Sequence, residues 1–369
     1  MMSPHLVESK ELGFTAVDIF SGGGGLTVGL KRAGFQVVAA VEIEANAYAT
    51  YKANHPEVQA FRQDIRNVKG EALKRLSPTG EISILAGCPP CQGFSSLTSK
   101  YKKSDARNDL VLEMARLVEE TEPEAVMMEN VPGLASKGKA LFDGFIGRLE
   151  ALGYQVVWNV LQVADFGVPQ NRSRLVVLAG KGFSISLPQP THSRTGANGL
   201  PLWRTLQDAI DWLQVEPVVL AETWEMGGPQ VFDWHVVRSL SPENLQRLRA
   251  TRPGKSRTTL PVELRPLCHR DRENGFSNVY GRMTWDQVPV TMTGGCTTLS
   301  KGRFGHPNED RTISAREAAL IQTFPMDYIF DTPYMEYVCN IIGNALPCDF
   351  AEILANQCIS ALALRNGLS

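Results

Sequence analysis

The chain has 369 residues, is 43% hydrophobic and carries a formal net charge of −2. Its apolar content is ample for one large or two ordinary packed domains, and no run approaches the roughly 18 apolar residues that a membrane span needs. Seven cysteines, an odd number without framework spacing, argue against a disulfide scaffold and for a reducing compartment. The opening MMSPHLVESKELGF lacks a basic region followed by an apolar stretch, so a cytoplasmic protein is expected.

From the N-terminus, β-rich and helical runs alternate. FTAVDIF (14–20) predicts a strand, GGLTVGLKRAGF (24–35) a helix with a glycine stop, QVVAAVE (36–42) a strand, and IEANAYATYKANH (43–55) a helix ended before Pro56. EISILA (81–86), EAVMME (124–129), YQVVWNVL (154–161) and RLVVLA (174–179) continue the strands, with the amphipathic DLVLEMARLVEE (109–120) between two of them. This alternation predicts an α/β fold, a doubly wound, mostly parallel sheet with helices on both faces. Ligands of such sheets gather outside the carboxyl ends of the strands, so the residues that follow each strand are the first candidates for function.

At the first joint, DIFSGGGGLTVGL (18–30), glycines allow a tight turn and the next helix directs its free N–H groups at a ligand. The dinucleotide spacing of glycines at n, n+2 and n+5 fails, because the last falls on Thr27 or Val28. What remains is a nucleoside site with Glu42 at the end of the second strand, placed to accept from ribose hydroxyls; a solvated acid opening a helix is the alternative. Asp64, after the short segment VQAFRQ, is a candidate for contacting an adenine amino group.

The run GCPPCQGFS (87–95) follows the strand EISILA and sets Cys91 where a bound substrate can meet it, which makes Cys91 the candidate nucleophile. A redox C-x-x-C needs a helix opening at the second cysteine, whereas Gln92 to Ser96 reads as a loop. Structural zinc lacks a second C-x-x-C or a histidine pair. Burial as an ordinary thiol suits Cys88.

Glu129, in ENVPG, puts a carboxyl group on the same sheet edge as Cys91. Desolvation beside an apolar strand is expected to raise its pKa, so that it donates to a ring nitrogen; a turn-capping acid is the alternative. In QNRSR (170–174), Arg172 and Arg174 stand two apart on an extended segment and are expected to converge on one ligand, unless they form a solvated strand edge. Between Arg238 and Arg272 there are nine Lys or Arg against three acids. Such a segment can neutralise phosphates and hold arginines for guanine edges, or be an exposed loop. Trp203, Trp212, Trp224 and Trp234 are expected to pack a small domain, and VPVTMTGGCTT (288–298) to form a strand and glycine loop with Thr291 or Thr293 as backbone contacts.

In order, DIFSGGGG, GCPPCQGFS, ENVPG, QNRSR, RTISAREAALIQTFP (311–325) and IGNALP (342–347) resemble the DNA cytosine-5 methyltransferases that use S-adenosylmethionine. The likeness runs from Asp18 to about Pro347, apart from the region near 184–305 that varies in that family; Leu346 stands where many relatives carry valine. It implies a Rossmann-like class I methyltransferase sheet in a large domain (1–183 and 326–369) and a small domain (184–325) with a target-recognition region at about 186–305, the duplex lying in the cleft between them. Phe20, Gly22, Gly24, Gly25, Leu26, Glu42, Ile43, Asp64, Ile65, Pro90, Leu110, Asn344 and Ala345 would hold the cofactor. Cys91 would add to C6 of a flipped-out cytosine, Glu129 would hold its N3 and N4 edge, and Arg172 and Arg174 would support the base and the adduct. Gln92, Ser95, Gln170, Arg249, Arg252 and Arg257 would meet DNA, the first two on a mobile loop at roughly 91–107.

The resemblance further implies S-adenosylhomocysteine as product, no metal, a monomer and duplex DNA as partner, the chain being either the modification partner of a restriction endonuclease acting on the same site or an orphan DNA methyltransferase. A tRNA methyltransferase of the same chemistry lacks support because no Cys-Phe-Thr segment is present. A catalytically silent binding protein is disfavoured by intact Cys91, Glu129 and Arg172, and a nicotinamide oxidoreductase by the failed glycine spacing. Methylation at N4 would need no cysteine nucleophile.

Overall fold

Runs rich in Val, Ile, Ala and Met form the strands, and the computed structural model describes them within residues 13–90, 109–270 and 276–367. β1 (Thr15–Ile19), β2 (Gln36–Glu42), β3 (Gln59–Arg62), β4 (Ile84–Gly87), β5 (Ala125–Asn130), β6 (Tyr154–Gln162) and β7 (Ser173–Lys181) make one sheet in the order β3-β2-β1-β4-β5-β7-β6. The pairs among β1 to β5 are parallel, and β7 runs antiparallel to β5. Strand order reverses at β1, flanked by β2 on one side and β4 on the other, which is where such sheets open a crevice. β1, β4 and β5 are buried along their whole length, as continuous apolar runs are when helices cover both faces.

The helices in chain order are α1 (Gly25–Arg32), α2 (Ala45–Asn54), α3 (Gly70–Lys74), α4 (Leu110–Thr121), α5 (Lys139–Ala151), α6 (Leu206–Ile210), α7 (Leu220–Thr223), α8 (Pro242–Ala250), α9 (Leu267–Arg270), α10 (Ala315–Ile321), α11 (Met335–Asn344) and α12 (Cys348–Arg365). α4 buries Leu110, Val111, Met114, Ala115, Leu117 and Val118, a stripe at helical spacing, and keeps Arg116 outside between Glu113 and Glu120. Each large apolar side chain so buried contributes about 1.5–3 kcal/mol. α1 lies directly on α12 because position 29 is glycine: a Cβ there would come within 2.5 Å of the Ala351 Cβ and the Glu352 amide.

The chain divides into two compact units: Met1–Leu161 with Ser173–Gln189 and Cys348–Ser369, and Gln162–Arg172 with Pro190–Pro347. The first holds the sheet. The second has one short parallel pair, β8 (Val218–Val219) with β9 (Val236–Val237), short helices and long irregular runs. Buried carbonyls in irregular chain have no ladder to satisfy them, so side chains must donate instead. Trp234, 1% exposed, donates to the Phe330 carbonyl, and buried Arg316 donates to those of Asp233 and Tyr328 while lying over the Phe330 ring. Ser314 and Glu317 close a capping box at the start of α10.

Three expectations are corrected. Residues 326–347 join the second unit, not the sheet-bearing one, because Gln322 donates to the carbonyls of Ile342 and Ala345 and binds α11 to α10. The segment 288–298 is not a strand: Val290 makes an isolated bridge with Asn171, and the Met292 amide is taken by the Gln170 side chain. Trp212 and Trp224 do not pack a core, each being 54% exposed. The stretch Met335–Arg365 has the length and hydropathy of a membrane span, but 67% of its most apolar window is buried inside the protein, as in a core helix.

Candidate active site

The carboxyl ends of β1 and β2 are tied together by hydrogen bonds. After β1 the chain turns through Phe20 at φ 59°, a left-handed conformation that a non-glycine residue adopts at some cost and that concentrates at functional sites. The Ser21 amide then bonds the Val41 carbonyl at 3.0 Å, and the Gly22 amide bonds Glu42 Oε2 at 2.8 Å. Gly24, at φ 96°, caps α1, where a side chain would be strained. Glu42 Oε1 accepts from the amides of Ile43 and Glu44 at 2.9 and 2.7 Å. Burial raises the Glu42 pKa and the three amides oppose it. Three bonds leave part of its acceptor capacity for hydroxyl donors, and Ile43 beside it is 63% exposed, an apolar surface next to that acid.

Asp64 caps the turn Ile65–Asn67 and pairs with Arg66 at 3.0 Å. Ile65 is 4% exposed and belongs to the core. Gly25, Leu26 and Leu110 are buried at the starts of α1 and α4, and Pro90 is half-buried. Two residues that motif reading passed over matter here. Asp18 is fully buried, accepts from Thr27 Oγ1 at 2.7 Å and is pushed up to about 7 by burial. Its signal was an acid in the middle of an apolar strand. Asn130 donates to the Pro89 carbonyl at 3.0 Å and thereby locks the end of β5 to the loop after β4.

Because β7 runs antiparallel to β5, its first residues return to the end of β5. Arg174 Nε therefore meets Glu129 Oε1 at 2.6 Å, both side chains nearly buried. The sequence placed a solitary carboxyl group there; the structure gives it a cationic partner. Cys88 is half-buried, and burial, with Glu129 and Asp18 nearby, pushes its thiol well above the usual range. A thiol held neutral is a poor nucleophile. Cys91, Gln92 and Ser95 lie outside the described residues.

Arg174 belongs to the first unit and Arg172 to the second. The Arg172 guanidinium is buried in the second unit, donating to the carbonyls of Met292, Gly343 and Ala345 at 2.9 to 3.2 Å. Asn344 and Ala345 stand at the end of α11 in that same unit.

A family profile described as C-5 cytosine-specific DNA methylase matches residues 14–360. The chain belongs to that family. It is 37% identical to the Type II methylase M.HgiDII of Herpetosiphon aurantiacus over 347 residues, covering 92% of this chain and 94% of the relative. It is 33% identical to the Type II methyltransferase M1.HphI of Haemophilus parahaemolyticus over 360 residues, covering 96% and 88%. In fold it is similar to a prophage-encoded E. coli protein described as a DNA modification methyltransferase, with TM-score 0.70, 22% identity and coverage of 95% and 99%. It is also similar in fold to DNMT2 of Spodoptera frugiperda, with TM-score 0.63, 18% identity and coverage of 94% and 99%. The protein is a DNA cytosine-5 methyltransferase.

The methylase's expected DNA contacts sort unevenly. Arg249 and Arg252 are exposed. Arg257 is 3% exposed and gives its Nε to the Phe276 carbonyl at 2.6 Å, and Gln170 is fully buried between Gln322 and the Met292 amide. Neither side chain faces solvent, so both are corrected to structural roles. Thr291 likewise gives its hydroxyl to the Asn171 carbonyl. Among the described residues, no group of three or more His, Cys, Asp or Glu could hold a metal ion.

Proposed function

We propose that the enzyme transfers a methyl group from S-adenosylmethionine to C5 of a flipped-out cytosine within a specific duplex sequence, through a covalent bond between Cys91 and C6. The observation that carries this reading is the Glu129–Arg174 pair at the end of β5, adjoining the loop that leads into Cys91. The residues present fit the cofactor: Glu42, oriented by three amides, takes ribose hydroxyls, Ile43 offers an apolar face to the adenine, and Asp64 accepts from its amino group. When bound, S-adenosylmethionine supplies an electrophilic methyl group on a positively charged sulfur.

Cytosine C5 holds too little electron density to take that methyl unaided. The Cys91 thiolate forms a bond to C6, the ring electrons shift toward N3, and N3 takes a proton from Glu129, which makes C5 an enamine-like nucleophile. A preorganised donor at N3 is worth about 3–4 kcal/mol. After methylation, loss of the C5 proton to a base expels Cys91 as thiolate, and N3 returns its proton to Glu129. Arg174 fixes the Glu129 carboxyl group in place throughout. Arg172 holds the backbone at 292 and at 343–345. Flipping the base costs a few kcal/mol of lost stacking and pairing.

The protein acts as a cytoplasmic monomer on duplex DNA, as the modification partner of a restriction endonuclease that cuts the same site. Incubation with S-adenosylmethionine, random-sequence duplex and bulk tRNA, followed by bisulfite conversion and sequencing, tests this. Protected cytosines within one short duplex motif are expected. Protection confined to tRNA would move the substrate to RNA, and protection nowhere, with cofactor bound, would leave a silent binding protein.

A further inference from the structure

We infer that Arg249, held by Asp310 on a base made by buried Arg282, reads a guanine edge in the recognised DNA sequence. This rests on the reading of the chain as a sequence-specific DNA methylase.

Arg282 is 5% exposed and spends all five of its donors. Nε goes to the Thr251 carbonyl, Nη1 to those of His306 and Glu309, and Nη2 to the Leu248 carbonyl and to Asp310 Oδ1 at 3.1 Å. One planar group thus joins the last turn of α8 to the segment 306–310 and fixes the Asp310 carboxylate. The other oxygen, Oδ2, accepts from Arg249 Nε at 2.7 Å. That bond uses the side of the Arg249 guanidinium and leaves its Nη1 and Nη2 fork without a partner among the described residues, on a side chain 62% exposed. Neighbouring Arg247 is committed elsewhere, to the Leu264 carbonyl, Asn244 and the Tyr280 ring.

A two-pronged donor of this kind matches the O6 and N7 acceptors of guanine, and also two phosphate oxygens. Asp310 decides between them. Its carboxylate, 42% exposed, lies against the same guanidinium, where it repels a phosphate anion but tolerates a neutral base edge. Fixing Nε beforehand also removes part of the ordering cost that a free arginine meets on binding.

The test is to methylate a randomised duplex pool with wild type and with Arg249→Ala, Arg249→Lys and Asp310→Asn, and to score the methylated motif at two salt concentrations. Arg249→Ala, at an exposed position, is expected to lower discrimination at one G·C position by about 5- to 150-fold while leaving the others unchanged. Arg249→Lys does not restore it, since an ammonium cannot make the paired contact. Asp310→Asn gives a smaller loss at that same position, about 2- to 5-fold.

A uniform loss across positions with a shallower salt dependence, or full rescue by lysine, would make Arg249 a phosphate contact and overturn the inference. Unchanged motifs in all three variants would reduce the pair to a surface ion pair and overturn it as well. A wild-type enzyme that modifies no duplex fails before any variant is compared, and that result strikes the parent reading itself.

Discussion

Arg174 in the first unit and the buried arginines of the second do opposite work. At the sheet edge of the first, Arg174 pairs with Glu129 at a strand end. In the second, Arg172, Arg282 and Arg316 are buried and give most of their donors to main-chain carbonyls, and buried Arg257 gives its Nε to one. The contrast follows from the backbone. A sheet satisfies its own carbonyls, so a cation beside it is available for chemistry; irregular chain does not, and the five-donor guanidinium becomes the substitute for a ladder. Counting positive charges therefore overstates how much of the second unit can face DNA.

Removing the proposed nucleophile is expected to give the largest effect and probes the first side of this contrast. Cys91→Ser should lower turnover by at least about 1000-fold, judging from losses on removing a covalent nucleophile, with cofactor binding by calorimetry unchanged. Retained activity would take the chemistry away from that strand end. Glu129→Gln keeps a partner for Arg174 but cannot deliver a proton, and should lower kcat about 100- to 1000-fold with little change in DNA affinity. A change confined to affinity would instead make Glu129 a binding group.

The second side is probed by stability. Arg282→Met leaves the carbonyls of Thr251, His306, Glu309 and Leu248 without their donor, and should cost at least about 3 kcal/mol, read as a fall in Tm of roughly 5–10 °C. If Tm barely moves, water replaces the guanidinium and the staple is not structural.

How much was legible in the sequence divides along the same line. Strands and the helices between them follow from local periodicity, so β2 is found where QVVAAVE predicts it, and the acid that ends it is held in part by amides of the next two residues. Arg172 and Arg174 could not be sorted that way, because the partners of Arg172 lie 120 to 173 positions along the chain. Gln170 and Arg257 were misread for the same reason: burial of a polar side chain depends on which backbone group elsewhere in the chain needs it, the Met292 amide for Gln170 and the Phe276 carbonyl for Arg257. The boundary near 326 was missed because Gln322, inside a recognised motif, bonds across to Ile342.

Asp18 sharpens the comparison from within the sheet, as a buried polar group there without a cationic partner among the described residues. Burial pushes its carboxyl group from 3.8 up to about 7, so the folded chain holds the proton more tightly than the unfolded chain does. The stability this contributes is complete below about pH 4 and is lost as the pH rises through about 7. Asp18→Asn is neutral at every pH, so the Tm difference should shift in favour of the variant between about pH 5 and pH 8. A difference that does not vary with pH would mean that Asp18 stays ionised in the folded protein.

The smallest effect is expected at Arg252, the exposed counterpart of the buried staples. With no carbonyl to serve among the described residues, its charge is available to phosphate, and Arg252→Ala should leave Tm within about 0.5 kcal/mol of wild type in free-energy terms. One lost phosphate contact lowers the slope of log K for DNA against log salt by about one. Arg257→Ala should do the reverse, lowering Tm by removing the donor to Phe276 while shifting the salt slope only through misfolding. Equal slopes for the two variants would mean that burial does not separate structural from DNA-facing cations here, and the contrast between the units would have to be redrawn on other grounds.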